Sequence, residues 1–256
     1  MKKSALILVA VLALAGCSTP VPTPTPTETV AADSLTGTIN VFAAASLTGS
    51  FQEIADAFAE EDPDVEVVFN FGGSSGLATQ IVEAAPADVF AAASPATMKT
   101  VTDAALTDGD PVDFASNVLE IAVAKGNPGG IVGLDDFANP DKTIALCAVE
   151  VPCGAASAKL FETAGITPSV DTYEQDVKAV LTKVEFGEVD AGLVYVTDVL
   201  DAGDAIEGIE IDSAPVKYPI ATLAASTNKE AADAFVAFLL SDKGQSILKA
   251  AGFGTP

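Results

Sequence analysis

Three short segments rich in Ala, Gly and Ser each lie between a predicted β-strand and a predicted α-helix. They are residues 43–46, 71–76 and 151–155. Helix starts that follow parallel strands gather at one edge of an α/β sheet, where their free main-chain N–H groups and serine hydroxyls can converge. Such neutral donors, supported by the helix dipoles, bind anions. The three segments therefore predict an anion-binding site.

Two other interpretations of these serines remain open. Ser46, Ser74 and Ser75 are also typical N-cap residues. Residues 72–76 match the G-x-S-x-G pattern of a nucleophile elbow, in which Ser74 would be the nucleophile of a serine hydrolase. A Ser–His–acid triad requires a histidine, and the sequence contains none. We therefore predict a binding protein without enzymatic activity and keep the hydrolase as the alternative.

The charge of the chain restricts both its partners and its donors. The sequence has 36 acidic residues against 12 basic ones, a formal net charge of −24. Such a surface repels nucleic acid and anionic lipid, so neither is an expected partner. An anion site in this chain must rely on neutral donors. The 49% of hydrophobic residues indicates a globular protein with an extensive core.

The N-terminus has the pattern of a secretory signal. Lys2 and Lys3 precede an apolar run over residues 5–15, which is too short to span a bilayer comfortably. The run ends in the sequence Leu-Ala-Gly-Cys, which resembles a bacterial lipobox; an ordinary signal with a chance cysteine is the alternative. We predict a signal peptide over residues 1–17 with a lipidated Cys17, and a Pro/Thr-rich extended linker over 18–36. The mature chain would be tethered to the outer face of the cell membrane.

Two cysteines remain after Cys17. Cys147 and Cys153 are close in sequence, and an extracytoplasmic compartment is oxidising, so we predict a disulfide between them. Two buried free thiols, or half of a metal site, are the alternatives. Since the chain has no histidine and no other cysteine, we expect no site for a bare metal cation and no cofactor.

From Gly37 onward, apolar strand-like runs alternate with helical patterns. Helical periodicity begins after Ser46, after Ser75, after Pro152 and at Val177, and two further helical segments close the chain. Several of the strand runs are apolar on both faces, as buried parallel strands are. The alternation predicts an α/β fold with mostly parallel sheets. The predicted strands are residues 39–45, 65–71, 87–93, 118–125, 143–149, 191–196 and 218–225.

The chain resembles the periplasmic molybdate-binding proteins of ABC importers from about Gly37 to Phe253. The most specific matching stretches are VFAAASLT at residues 41–48 and VPCG at residues 151–154. Softer matches follow in the same order along the chain, at residues 71–80, 85–90, 176–178, 192–195 and 218–221.

The resemblance implies a set of ligand contacts. Ser46 and Ser74 would donate through hydroxyl and main-chain N–H, and Tyr195 through its phenolic O–H. Val177 would donate a main-chain N–H at a helix start. Cys153 stands where the family often has Ala, and a main-chain N–H contact survives that difference. Half-buried packing is the alternative role for Tyr195, and core packing the alternative for Val177.

The resemblance also implies a type II periplasmic binding protein, with two lobes of mixed, mostly parallel sheets joined by a two-segment hinge. We expect lobe one over residues 37–116 plus 218–256 and lobe two over 117–217, with crossings near 115–118 and 216–218. The implied function of this monomer is high-affinity capture of molybdate, with tungstate as a second ligand, and delivery to an ABC permease. A binder of another oxyanion such as sulfate is the alternative.

A site made only of donors favours an anion without a proton. Molybdate, tungstate and sulfate are unprotonated dianions near neutral pH, whereas phosphate carries a proton that needs an acceptor. Two carboxylates, Glu174 and Asp176, fall close to the predicted helix start at Val177. We expect both side chains to point away from the anion, since their charge would oppose it.

Overall fold

The computed structural model describes residues 34–256. The predicted signal peptide with Cys17 and nearly all of the predicted linker lie outside the described residues. Within this range, none of the helices is long and apolar enough to cross a membrane.

Strands and helices alternate along the described chain. The strands are β1 Gly37–Ala44, β2 Val65–Gly72, β3 Val89–Ala91, β4 Val112–Asn117, β5 Leu119–Ala124, β6 Ile144–Cys147, β7 Thr172–Glu174, β8 Ala191–Tyr195, β9 Ile206–Ile209 and β10 Val216–Thr222. The helices are α1 Thr48–Ala59, α2 Ser74–Val82, α3 Pro95–Asp103, α4 Pro152–Ala164, α5 Val177–Glu185, α6 Val196–Ala202, α7 Lys229–Leu240 and α8 Asp242–Ala250.

The strands form two five-stranded sheets that are built alike. The first has the order β2-β1-β3-β10-β4, and the second the order β7-β6-β8-β5-β9. In each sheet the first three strands are parallel, and the fourth is antiparallel to both of its neighbours. The fourth strands, β10 and β5, are those by which the chain enters each sheet from the other one. The predicted α/β class with two mixed, mostly parallel sheets is confirmed.

The two sheets define two lobes, and the chain passes between them twice. It leaves the first sheet at Asn117 and enters the second at Leu119, then leaves at Ile209 and returns at Val216. Helices α7 and α8 then pack on the first sheet, where Phe235 lies in the same core as Phe51. The first lobe is thus made from both ends of the described chain, and the second lobe from its middle.

Burial explains why these segments form these elements. The central strand β8 is buried along its whole length, which allows it apolar side chains on both faces. Helix α1 buries a single face with Phe51, Ile54 and Phe58, spaced three and four residues apart. Helix α4 begins at Pro152, a favourable first position, and ends at Gly165, whose positive φ of 70° closes the helix.

The predicted strands are all present, but several of their bounds were wrong. The run predicted over 143–149 ends at Cys147, because Ala148 and the following residues form the turn that leads into α4. The run predicted over 218–225 begins at Val216 and ends at Thr222. Strands β4, β7 and β9 and helices α3 and α6 were not predicted. Strand β7 has only three residues, and β4 is interrupted by polar side chains, so neither has a clear period.

Candidate functional site

A small cavity lies where the two lobes meet. It encloses about 220 Å³ of space between atoms, part of which is open to solvent. Since this figure also counts space that a ligand could not fill, the cavity suits only a ligand of few atoms. The five residues predicted from sequence all line it. The complete lining is Ala44, Ala45, Ser46, Gly72, Gly73, Ser74, Ala93, Val151, Pro152, Cys153, Asp176, Val177 and Tyr195.

The first lobe contributes two serines at the ends of parallel strands. Ser46 follows β1 in a short turn of 3-10 helix, and Ser74 is the first residue of α2 after β2. Both are buried, with 7% and 1% exposure. The Ser74 Oγ accepts a hydrogen bond from the main-chain N–H of Ala93 at 3.0 Å. Because that lone pair is occupied, the Ser74 hydroxyl hydrogen is free to donate into the cavity.

Ser46 has a hydrogen-bond partner that the sequence analysis missed. Its Oγ lies 2.9 Å from the Oη of Tyr218, which is fully buried on β10. Residues 218–221 were noted as one of the family-like stretches, but nothing local connects Tyr218 with a residue 172 positions away. Only the pairing of β3 with both β1 and β10 brings the two hydroxyls together.

The second lobe presents two helix starts to the cavity. Cys153 is the second residue of α4, and Val177 is the first residue of α5. The first N–H groups of a helix have no partner within the helix, so those of Cys153 and Val177 are available to a ligand in the cavity that both residues line. Cys153 forms a disulfide with Cys147, as predicted. This bond joins the end of β6 to the start of α4 and closes the turn between them.

Tyr195 completes the second-lobe side. It is the last residue of β8, it is 1% exposed, and its Oη makes no hydrogen bond of good geometry among the described residues, although the Tyr218 hydroxyl is near enough to lower its pKa slightly. Burial, together with the charge of Asp198, raises the pKa of Tyr195 well above its ordinary value, so the phenol keeps its proton. An unpaired buried hydroxyl costs about 1–3 kcal/mol. A ligand oxygen in the cavity would accept this hydrogen bond.

The carboxylates near the cavity are engaged elsewhere. Asp176 lines the cavity, yet its Oδ1 accepts from the N–H of Ala179 at 3.0 Å and caps α5. The Glu174 Oε1 accepts from the Thr172 hydroxyl at 2.7 Å and lies 3.7 Å from the Lys183 Nζ. The expectation that both point away therefore holds for Glu174, whereas Asp176 remains in the lining with one carboxylate oxygen occupied.

A buried acid below the site was not predicted. Asp198 is fully buried, and its Oδ2 accepts from the N–H of Tyr195 at 3.0 Å. Its Oδ1 lies 3.4 Å from the Lys178 Nζ, an ion-pair distance without good hydrogen-bond geometry. Burial raises the pKa of Asp198 to about 6, against the opposing effect of Lys178. The Asp198–Lys178 pair links the starts of α5 and α6, which both adjoin the cavity.

The lobes also touch each other beside the cavity. The Ser75 hydroxyl, on the first lobe, donates to the main-chain oxygen of Glu150 on the second lobe at 2.6 Å. A side chain at Gly73 would collide with the main-chain oxygen of Gln175, again across the lobes. Glycine is therefore required at residue 73 by the close approach of the second-lobe backbone.

The lining contains neither lysine nor arginine. An anion in this cavity would be held by hydroxyls, main-chain N–H groups and the positive ends of helix dipoles. The three small-residue segments predicted such main-chain and hydroxyl donors at the ends of parallel strands, and the family resemblance implied that two lobes would enclose them. The described geometry thus suits a small anion that is held by neutral donors.

The sequence matches the model of a protein family described as bacterial extracellular solute-binding protein over residues 39–254. The chain belongs to this family. Among relatives of this solute-binding protein, the molybdate-binding protein ModA of Mycobacterium tuberculosis is 39% identical over 222 residues, covering 86% of this chain and 85% of the relative. ModA of Haemophilus influenzae is 31% identical over 228 residues, covering 84% of this chain and 89% of the relative.

A solved structure shares the fold of this solute-binding protein. The periplasmic molybdate-binding protein of Azotobacter vinelandii superposes with a TM-score of 0.75 and 21% identity, covering 85% of this chain and 99% of the other. At that identity the likeness concerns the fold, which confirms the predicted periplasmic binding protein architecture. The similar proteins are solute-binding proteins, and none of these three is named as an enzyme.

Proposed function

We propose that this protein captures molybdate outside the cytoplasm and delivers it to the permease of an ABC importer. One observation carries the proposal: five donor residues from three separate small-residue segments and two further elements line a single cavity between the lobes. The names of the M. tuberculosis and H. influenzae relatives support the choice of anion.

The cavity offers a matched set of donors for a tetrahedral oxyanion. The hydroxyls of Ser46 and Ser74 act from the first lobe, and the N–H groups of Cys153 and Val177 act from the second. The Tyr195 hydroxyl, unpaired among the described residues, completes the set. Hydrogen bonds from these groups to a charged oxygen contribute about 1.5–3 kcal/mol each, more than bonds between neutral groups. Together they replace the hydration shell of the anion.

Protonation separates molybdate from phosphate. Hydrogenphosphate carries an O–H that needs an acceptor, and leaving it unpaired costs about 1–3 kcal/mol. In the lining, the Asp176 Oδ1 already accepts from the Ala179 N–H, which leaves Oδ2 of that carboxylate as an acceptor for such an O–H. Tungstate has the charge and shape of molybdate, so it is proposed as a second ligand. Sulfate is also unprotonated, but it is smaller than molybdate. Its oxygens would lie farther from the fixed donors, which would weaken its binding.

We also propose how the protein is anchored, closes on its ligand and meets its partner in the cell. Residues 1–17 act as a lipoprotein signal, the lipidated Cys17 anchors the chain to the outer face of the membrane, and residues 18–36 form the linker. Lobe one, residues 37–116 plus 218–256, and lobe two, residues 117–217, close on the ligand as a monomer. The partner is the ABC permease. Ser74 acts as a hydrogen-bond donor and not as a nucleophile.

Calorimetric titration of the purified protein with molybdate, tungstate, sulfate and phosphate tests this function. We expect tight binding of the first two anions and at least 100-fold weaker binding of sulfate and phosphate. The matched pair of variants is Ser46→Ala and Ser50→Ala. Both serines are buried near the start of α1, but of the two only Ser46 lines this cavity. Ser46→Ala should weaken molybdate binding by about 10- to 100-fold and Ser50→Ala by less than about 2-fold.

Two results would contradict the proposal. One is the absence of molybdate binding by the unaltered protein, and the other is an equal loss in Ser46→Ala and Ser50→Ala. A parallel assay with an activated ester addresses the hydrolase. Turnover that disappears in Ser74→Ala would replace the binding function with a catalytic one.

A further inference from the structure

We propose that Tyr218 is a positioning residue that fixes the Ser46 hydroxyl as a donor to the ligand, and that it thereby helps the site to reject protonated anions. This inference rests on the proposed capture of an unprotonated oxyanion. Tyr218 does not line the cavity itself, so it would act through Ser46 and not by touching the ligand.

The Tyr218 hydroxyl is held in place by its surroundings. The residue is fully buried, and its Oη lies 2.9 Å from the Ser46 Oγ. Its ring packs edge-on against those of Phe253 at 5.5 Å, Tyr195 at 6.0 Å and Phe114 at 6.3 Å between centroids. Three perpendicular aromatic contacts leave the ring little freedom to turn the hydroxyl elsewhere.

The direction of the hydrogen bond follows from the chemistry of the two hydroxyls. Either atom can be the donor on distance alone. Burial raises the pKa of Tyr218 well above its ordinary value, so the phenol keeps its proton. A phenol is more acidic than an alkyl hydroxyl and is the better donor, whereas the serine oxygen is the better acceptor. Tyr218 therefore donates to the Ser46 Oγ.

The consequence for the cavity is a fixed polarity. With a lone pair of its Oγ engaged by Tyr218, the Ser46 hydrogen is directed to the ligand, and the donated bond strengthens it as a donor. The Ser74 hydroxyl is oriented in the same way, because its Oγ accepts a hydrogen bond from the Ala93 N–H at 3.0 Å. Both first-lobe hydroxyls thus give hydrogens to the anion, and with each hydrogen turned to the anion the remaining lone pair of that oxygen points elsewhere. A hydrogen-bearing anion would find no partner for its proton on this side.

A double-mutant cycle tests whether Tyr218 acts through Ser46. We expect Tyr218→Phe to weaken molybdate binding by about 3- to 10-fold, as the loss of one supporting hydrogen bond predicts. In the Ser46→Ala background, the same change should alter the dissociation constant by less than about 2-fold. Multiplicative losses in the double variant would overturn the proposal.

Selectivity provides a readout that a merely structural role would not change. Hydrogenarsenate is a tetrahedral anion that carries a proton near neutral pH. Tyr218→Phe frees the Ser46 hydroxyl to rotate and to turn a lone pair toward that proton, so the preference for molybdate over hydrogenarsenate should fall by at least about 3-fold. Phe253→Leu is the control, because it loosens the packing of the Tyr218 ring without removing the Tyr218 hydroxyl. The preference of this variant for molybdate over hydrogenarsenate should stay unchanged. Equal weakening of both anions in Tyr218→Phe would contradict the proposal.

Thermal unfolding checks that each variant is folded. If Tyr218→Phe alone does not fold, the comparison of Ser46→Ala with Ser46→Ala/Tyr218→Phe still decides the matter, since the double variant leaves neither hydroxyl unpaired. Equal molybdate affinities support the proposal, and a clearly weaker double variant opposes it. Loss of molybdate binding in the unaltered protein would instead refute the proposed function, which keeps the two failures distinct.

Discussion

The first lobe faces the cavity with serine hydroxyls, whereas the second faces it with main-chain N–H groups and one phenol. The Ser74 oxygen already accepts a hydrogen bond from the Ala93 N–H, and the Ser46 hydroxyl shares one with the Tyr218 hydroxyl, each within the first lobe. The Tyr195 hydroxyl of the second lobe has no partner among the described residues. In the first lobe, internal hydrogen bonds therefore orient the donor hydroxyls before a ligand binds. In the second lobe, the position of the donors depends on how firmly the backbone is held in place.

This contrast predicts unequal responses to substitution. A first-lobe serine loses its donor when its side chain is removed, whereas Cys153 and Val177 keep their N–H groups with any non-proline side chain. The second lobe is instead sensitive to whatever holds its helix starts. The disulfide at Cys147 and the Asp176 cap of α5 serve that purpose.

The largest expected effect belongs to Ser74→Ala. It removes one donor to a charged oxygen and leaves the Ala93 N–H without its acceptor. We expect molybdate affinity measured by calorimetry to fall about 100-fold, equivalent to about 2.7 kcal/mol. Thr79→Ala, in the same helix but outside the lining, is the control and should change affinity less than 2-fold. A loss below 3-fold for Ser74→Ala would remove this serine from the site.

Replacing both Cys147 and Cys153 with Ala tests the covalent support of the second lobe. For a loop as short as this one, the chain-entropy model gives a loss of about 2 kcal/mol in the free energy of unfolding. Urea denaturation measures it, with dithiothreitol-treated unaltered protein as the comparison. Affinity for molybdate should fall less than in Ser74→Ala, since the Cys153 contact is a main-chain N–H. An affinity loss with unchanged stability would show that the cysteine side chain itself binds the ligand.

Tyr195→Phe should weaken molybdate binding about 10-fold, equivalent to about 1.4 kcal/mol. Because the Tyr195 hydroxyl lacks a partner in the described structure, its removal should not lower the melting temperature of the ligand-free protein. Differential scanning calorimetry with and without molybdate separates the two effects. The exposed Tyr173 provides the matched Tyr→Phe control. A destabilised ligand-free protein would mean that the hydroxyl is used internally.

The smallest effect is expected for Ser75→Ala, which removes the hydrogen bond to the Glu150 carbonyl across the lobes. The serine touches no ligand in our proposal, so its loss should favour opening and raise the molybdate dissociation rate about 3-fold. Stopped-flow displacement by tungstate measures that rate. A change in the association rate alone would argue against a role in holding the lobes together.

Local sequence patterns predicted those parts of the molecule that local forces determine. Strands β1 and β8 were recognised because they are apolar on both faces, and the helix starts at Ser74 and Val177 because small or capping residues precede them. Strand β4, at a sheet edge, was missed because its own polar residues Asp113, Ser116 and Asn117 interrupt the apolar alternation. Propensity depends only on the residues of the segment itself, whereas an edge strand forms because it pairs with the neighbouring strand.

The site was likewise predicted only where local sequence patterns determine it. The five lining residues came from strand–helix junctions together with the family resemblance. Tyr218 and Asp198 were missed because their importance depends on contacts made in three dimensions. The partner of Tyr218 lies 172 residues away, and Asp198 gains its altered pKa of about 6 only when burial removes water from its carboxylate.

Gly73 has a wider consequence for how affinity in this protein can change. Its absent side chain lets the two backbones approach so closely that even a methyl group would strike the Gln175 carbonyl. An alanine there would act as a wedge, keeping the lobes slightly apart and admitting water between anion and donors, although every donor stayed intact. The missing side chain thus sets how closely the lobes approach at the cavity wall, and binding strength could be retuned at a position that supplies no proposed donor.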